Sequence, residues 1–199
     1  MMFSGALHKM EVQLDSPVQY RLQLGDSTLN LHELLGKKLR LSWQHTIHCI
    51  HCGRETRKSF NQGYCYPCFK SLAQCDICIV SPEKCHYDQG SCREPEWGRQ
   101  NCMQDHYIYL SNTSGVKVGI TRHTQIPTRW IDQGAVQALA VLKVSSRYYS
   151  GLVETAFKGY LNDKTNWRSM LKNDYSEQDL LPVFHLSLIH ISEPTRLRR

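Results

Sequence analysis

All nine cysteines of this 199-residue chain fall between positions 49 and 102, and their spacing restricts the fold more than any other feature. The first group is Cys49-x2-Cys52, a loop of twelve residues, then Cys65-x2-Cys68. Each close pair suits a tight knuckle whose two sulfurs converge on one ion, and the loop is long enough to bring the second pair back to the first. Four thiolates in tetrahedral array are the ligand set of a structural zinc site. His51, between two of these ligands, is expected to face solvent instead of coordinating.

The second group is Cys75-x2-Cys78 followed by Cys85, Cys92 and Cys102. Five sulfurs compete for four places. The spacing favours Cys75, Cys78, Cys85 and Cys92, Cys102 can replace one of them, and His86 and His106 stand in reserve. Two structural Zn2+ ions are therefore predicted. An iron-sulfur centre suits the intervening loops less well. Both sites read as closed, because four sulfurs leave no open position for water, and closed sites fold chains instead of catalysing. The stretch from Thr46 to Gln104 has little apolar periodicity, so bound metal is expected to supply much of its folding energy. Phe60, Tyr64, Tyr66 and Phe69 read as a miniature core around the first knuckle, or alternatively as rings that stack on nucleobases.

Nine cysteines could mean disulfides in an exported chain, but without an export signal a reducing compartment would leave the thiols free for metal, and an odd count fits poorly with complete disulfide pairing. The start, MMFSGALHKMEVQLD, lacks an unbroken apolar run of secretory type. The most apolar stretch, Ala135 to Leu142, is too short to cross a membrane. A cytoplasmic protein without membrane association is the expectation. The end, from Leu186, contains SLIHISEPTR and resembles the translation of a transposon-type sequencing adapter joined to a truncated reading frame. It is set apart from the fold as a non-native tail. The formal net charge is +6; three arginines against one glutamate in the tail reduce this to +4. Two four-thiolate zinc sites would bring it near zero, so bulk charge lends little support to nucleic-acid binding. No GxxxxGK loop and no HExxH pair is present, which argues against an NTPase or a zinc protease.

The expected organisation is α+β: a sheet-rich lead-in over 1–45, a zinc-knuckle module over 46–105, and a small sheet with packed helices over 106–185, read as truncated. In the lead-in, Val18 to Leu24 alternates as a half-buried strand, Leu29 to Leu35 suggests a short helix ended by Gly36, and Lys37 to Trp43 alternates again. Beyond Cys102, Tyr107 to Leu110 and Val116 to Thr121 read as a hairpin. Further elements are expected near Pro127 to Trp130 (helix), Ala135 to Val144 (strand), Ser150 to Leu161 (helix) and Thr165 to Leu171 (helix, with Asn166 as its cap).

Alternation along the hairpin puts Ile108, Leu110, Val116, Val118 and Ile120 toward a core. Tyr107, Tyr109, Lys117, Gly119 and Thr121 belong to the opposite face. Tyr107-Ile108-Tyr109 and Lys117-Val118-Gly119 resemble the two motifs of the GIY-YIG nuclease superfamily. Tyr107 stands at the first glycine of that pattern and Lys117 at the second tyrosine. Arg129, Glu154 and Asn166 follow at suitable intervals. More broadly, KVGITR and TRWIDQGA look like an uncharacterised bacterial family that joins a cysteine-rich front half to a GIY-YIG-like back half.

The resemblance implies a metal-dependent endonuclease acting on DNA or RNA. Tyr109 would help activate water, Arg129 would clamp the phosphate, and Glu154 would bind Mg2+ or Mn2+, with Lys117 contacting phosphate or water. The alternative is a non-catalytic zinc protein that binds nucleic acid or docks a protein partner through its zinc module.

Overall fold

The computed structural model describes residues 2–161, 166–172 and 175–185. The tail set apart at Leu186 lies outside them. The architecture is α+β, with two three-stranded antiparallel sheets and short helices.

The first sheet is formed by β1 (Glu11–Gln13), β2 (Gln19–Leu24) and β3 (Ser27–Asn30), in that order. The alternation from Val18 to Leu24 was legible because β2 is the central strand and presents one side to its neighbours' side chains. Ser27 to Asn30, by contrast, is a strand and not the start of a helix; only His32–Leu34 closes into a 3-10 turn. The reason is the two-residue turn Gly25-Asp26, which folds Ser27 directly onto Leu24 and commits the next residues to the ladder. Alternation in Lys37 to Trp43 also misleads, since no strand forms there. Leu41 is 87% exposed and Trp43 64%, because no partner strand lies within reach to complete a ladder.

Residues 46–105 are held by turns. They contain α1 (Tyr66–Ser71), four 3-10 turns between Ala73 and Gln89, and α2 (Pro95–Asn101). Both helices carry proline in the first turn, where the missing N–H costs nothing.

The second sheet has the order β5-β4-β6, from β4 (His106–Asn112), β5 (Val116–Arg122) and β6 (Gln137–Val144). β4 is central and nearly every residue in it is buried. Ile108, Leu110 and Val118 pack with Phe157 of the helix α4 (Arg147–Phe157). Val141, Leu142, Val144 and Val153 complete that layer. A register shift between Ile108 and Tyr109 inserts Val141 as an extra residue in β6, bending the sheet edge. Between β5 and β6 lies α3 (Thr128–Asp132), and α5 (Trp167–Leu171) begins at Asn166, whose Oδ1 accepts a hydrogen bond from Ser169 N at 3.4 Å.

The cysteine-rich segment rests on α4. Gly151, in the middle of that helix, faces the Pro82 turn so closely that a Cβ there would lie 2.5 Å from the backbone nitrogen of Glu83. Arg147 reaches the same segment, donating to the Ile79 carbonyl at 2.6 Å, and its own N–H donates to the Cys102 carbonyl at 2.8 Å.

Two consequences are measurable. Alanine is the better helix former by about 1 kcal/mol, yet Gly151→Ala must displace a backbone segment and is expected to lower stability by about 1–3 kcal/mol. Gly159→Ala, whose Cβ would meet nothing closer than 3.7 Å, is the control that should be neutral in the same denaturant titration. The second concerns His106, which is fully buried. Its Nδ1 lies 2.8 Å from the Gln104 carbonyl, which can only accept, so Nδ1 carries the proton and Nε2 is a bare, unpartnered acceptor. Burial pushes the imidazole down to about 4. The unfolded chain therefore takes up the proton first, and stability present above about pH 6.5 should fall as pH drops through the window toward 4. Relative to His106→Asn, which does not titrate, the wild type should lose on the order of 2 kcal/mol across that window. Parallel stability curves for the two proteins would refute the assignment.

Candidate metal centre and sheet-face site

The geometry around Cys49, Cys52, Cys65 and Cys68 follows from two short turns. Cys49 N donates to the Arg54 carbonyl and Gly53 N to the Cys49 carbonyl, both at 2.9 Å, which closes the first knuckle. Ile50 N donates to the Gly63 carbonyl at 2.9 Å, returning the twelve-residue loop to its start. Cys65 then caps α1 and Cys68 sits on its first turn. The four sulfurs all lie within 4.8 Å of one another, and Cys52 Sγ is 3.7 Å from Cys65 Sγ. A tetrahedron with Zn–S bonds of about 2.3 Å has an edge of about 3.8 Å, so the spacing fits one ion.

Electrostatics point the same way. Burial works against ionisation of Cys49, but the backbone N–H groups of Cys52, Cys65 and His51 turn toward its sulfur and bring the thiol down to about 6. Cys68 is driven up to about 12, first by burial and then by the three neighbouring sulfurs. Four thiolates this close require a cation between them. Cys49, Cys65 and Cys68 are buried, Cys52 is exposed, and His51 is exposed as expected. Tyr64 and Phe69 pack on the buried cysteines, and Phe60 stacks on Phe69 with ring centroids 5.5 Å apart. The rings build the knuckle's small core, while Tyr66 remains exposed beside it.

Cys75 joins this first cluster: it is buried against Leu72 and the first-site cysteines. Cys78, Cys85, Cys92 and Cys102 instead line a separate small cavity. Asp76 and His86 line the same cavity, and with Cys78 they bring ligand atoms within 4.8 Å of one another. Asp76 Oδ2 accepts from Arg93 Nε at 2.6 Å, and His86 Nδ1 lies 2.9 Å from Ser91 Oγ. Asp76 and Arg93 carried no signal in the sequence, where isolated charges look alike.

On the second sheet, the register pairs Tyr107 with Thr121, Tyr109 with Gly119 and Ser111 with Lys117, which puts these six on one face. A Cβ on Gly119 would lie 2.6 Å from the Tyr109 hydroxyl, so the glycine is the floor on which the phenol lies. Tyr109 is 0% exposed, and its hydroxyl donates to Gln133 Oε1 at 2.9 Å. Burial raises this phenol's pKa above the ordinary value, while the Arg129 guanidinium and Gln133 oppose the rise. Arg129, on α3, is exposed at its outer end, and the Trp130 ring lies 6.0 Å from that of Tyr109. Glu154, on α4, acts on the phenol electrostatically and lies 3.7 Å from Lys158 Nζ. Lys117 is buried on the same face as Tyr109.

Tyr109, Arg129 and Glu154 are thus electrostatic neighbours. The buried, protonated Tyr109 phenol is suited to positioning and not to acting as a phenolate base. Gln133 and Trp130 complete the surroundings; both belong to the TRWIDQGA string, but nothing in their spacing marks them as partners of Tyr109. Among the described residues no helix is long and apolar enough to cross a membrane.

A model of the family described as "Protein of unknown function (DUF2797)" matches residues 36–189, and the chain belongs to that family. The matched span takes in both the cysteine-rich segment and the second sheet. No curated protein and no solved structure matches the chain.

For the first metal centre, Cys49→Ser or Cys68→Ser should each remove one equivalent of zinc and lower the melting temperature, measured by elemental analysis and calorimetry. His51→Ala should change neither.

Proposed function

We propose that this DUF2797 protein is a zinc-stabilised, GIY-YIG-like endonuclease that cleaves nucleic-acid phosphodiesters with Mg2+ or Mn2+. The observation that carries the reading is the electrostatic reach of Arg129 and, more weakly, of Glu154 to the buried Tyr109 phenol on the central antiparallel strand, with Gly119 leaving room for the ring. Phosphodiester cleavage needs an oriented nucleophile and positive charge where the transition state gathers negative charge. Arg129 presents an exposed planar fork suited to two non-bridging oxygens. Tyr109, held by Gln133, orients the attacking water through its hydroxyl without ionising. Lys117 adds a fixed positive charge behind the phenol, on the same face.

Glu154 is the carboxylate for a divalent cation, which would polarise the phosphate and stabilise the leaving oxygen when bound. A hard cation of this kind is commonly held by one or two carboxylates together with substrate phosphate, and a single partly buried Glu154 fits that pattern. The four-sulfur centre at Cys49, Cys52, Cys65 and Cys68 is structural, since its ligands fill all positions of one ion.

A second reading rests on one observation, the complete burial of Tyr109. A phenol closed off from water favours a domain that binds nucleic acid, or docks a protein through the zinc module, without turnover.

The test is incubation of the zinc-loaded protein with single-stranded, duplex and branched DNA and RNA in Mg2+ or Mn2+. Cleavage is expected, with a loss of about 100-fold or more in Glu154→Ala and Arg129→Ala. Salt-sensitive binding without products would support the binding reading. Cleavage undiminished by Glu154→Ala would remove the metal-ligand assignment.

A further inference from the structure

The cavity among the later cysteines has no role in the proposed cleavage. Its walls include the side chains of Cys78, Cys85, Cys92 and Cys102, and it measures about 10 Å³. That is roughly the space of a single water, too small for any organic ligand. These four sulfurs come from three separate turns and the end of α2. Cys75, the nearest sulfur in sequence, is turned away into the first cluster.

A second, independent observation concerns Arg147. Its Nε is buried without a hydrogen-bond partner; Cys102 and Cys78 are the leading groups in electrostatic reach of its guanidinium, ahead of Glu154 on the same helix and opposed by Arg122. A buried guanidinium with unused donor capacity is costly unless negative charge lies close by. Glu154 supplies the weakest of these contributions, and the nearer groups, if neutral thiols, supply no charge at all. Four thiolates around one Zn2+ carry a net charge of about −2, and would place it beside Arg147.

We propose that Cys78, Cys85, Cys92 and Cys102 hold a second structural zinc ion, with Arg147 as its buried counter-charge and Cys75 excluded from the ligand set. The competing set is Asp76, Cys78 and His86, which already lie within 4.8 Å of one another, whereas the four sulfurs do not stand at such mutual distances. Closing on the ion therefore requires rotation of cysteine side chains about Cα–Cβ. Cys92, whose Sγ makes only a long 3.6 Å contact to the Glu94 carbonyl, gives up little in turning. Asp76 is poorly placed to compete, because its Oδ2 is held by Arg93 at 2.6 Å. His86 has its Nδ1 on Ser91, and its Nε2 is directed toward that same carboxylate at 3.7 Å. The pair lines the same cavity, and its bonds to Arg93 and Ser91 hold the 85–93 loop in place. Soft thiolates also outrank a guanidinium-bound carboxylate as zinc ligands.

The second ion would join the 73–92 turns to α2 and to the start of α4, where Arg147 N donates to the Cys102 carbonyl. Metal binding and docking of the cysteine-rich segment onto the second sheet would then be one event.

The experiment measures zinc per chain in the full-length protein and the metal's ligand shell by X-ray absorption. The expected result is two zinc ions with an all-sulfur shell averaging four sulfurs. Cys78→Ser, Cys85→Ser, Cys92→Ser and Cys102→Ser should each reduce the count to one, while Cys75→Ser, Asp76→Asn and His86→Ala retain two. Arg147→Gln should release the second ion to a chelator several-fold faster than wild type. One zinc in the wild type, a shell containing nitrogen or oxygen ligands, or loss of an ion in Cys75→Ser or His86→Ala would overturn the proposal. The wild-type absorption measurement decides the case even if some cysteine variants fail to fold. Nuclease assays play no part in it, so the proposed cleavage and the second zinc can fail separately.

Discussion

β4 is bonded on both edges and covered on both faces, and the arrangement of the second sheet depends on that. Its alternate residues serve two different layers: Ile108 and Leu110 meet Phe157 and Val118, while Tyr109 lies on Gly119 beneath α3. Because the side-chain period of a strand is two, a register slip of one residue would exchange these layers and bury the phenol in the aliphatic core. The seven paired residues on the β5 side and the bulge on the β6 side hold the register in place. Every candidate residue of the sheet-face site takes its position from this one strand or from elements packed on it.

The cysteine-rich segment works by a different physics. It has short turns and little aliphatic interior, its cysteines at Cys49, Cys52, Cys65 and Cys68 are grouped so that they could hold a metal, and it makes a few contacts with α4. The first centre shows how backbone and metal chemistry cooperate: N–H groups aimed at Cys49 favour its thiolate, while crowding of the other sulfurs around Cys68 demands a cation. Gly151 and Arg147 then join this cysteine-rich segment to the hydrophobically held sheet. Four cysteines able to hold a structural metal, apart from the charged residues of the second sheet, divide the labour: one part can set shape while the other carries any chemistry.

Burial of Tyr109 gives the candidate site its particular character. A phenol in a low-dielectric setting keeps its proton, and Gln133 accepts that hydrogen bond at 2.9 Å. Activity in such a site would use Tyr109 to fix geometry, leaving charge to Arg129, Lys117 and Glu154. The same closure is what makes a binding domain without turnover a coherent second reading.

Much of this was open to inspection in the sequence, wherever a local rule operates. The x2 spacing of Cys49/Cys52 and Cys65/Cys68 specifies a four-sulfur centre because two residues are what a knuckle needs. Alternation from Tyr107 to Thr121 specifies the hairpin and its two faces because strand geometry is strictly periodic. Asn166 announced a helix start through its side-chain acceptor. Other features were decided only in three dimensions. Which sulfur leaves the second cysteine group depends on Cys75 packing against Leu72, a contact that spacing does not encode. Leu39, Leu41 and Trp43 alternate like a strand yet find no partner, since a ladder needs a neighbour as well as a pattern. Gln133 on the Tyr109 hydroxyl, Arg93 on Asp76 and Arg147 beside Cys102 and Cys78 are meetings of residues far apart in the chain. Hydrogen bonds and charges carry no periodicity, so only the tertiary structure could bring those partners together.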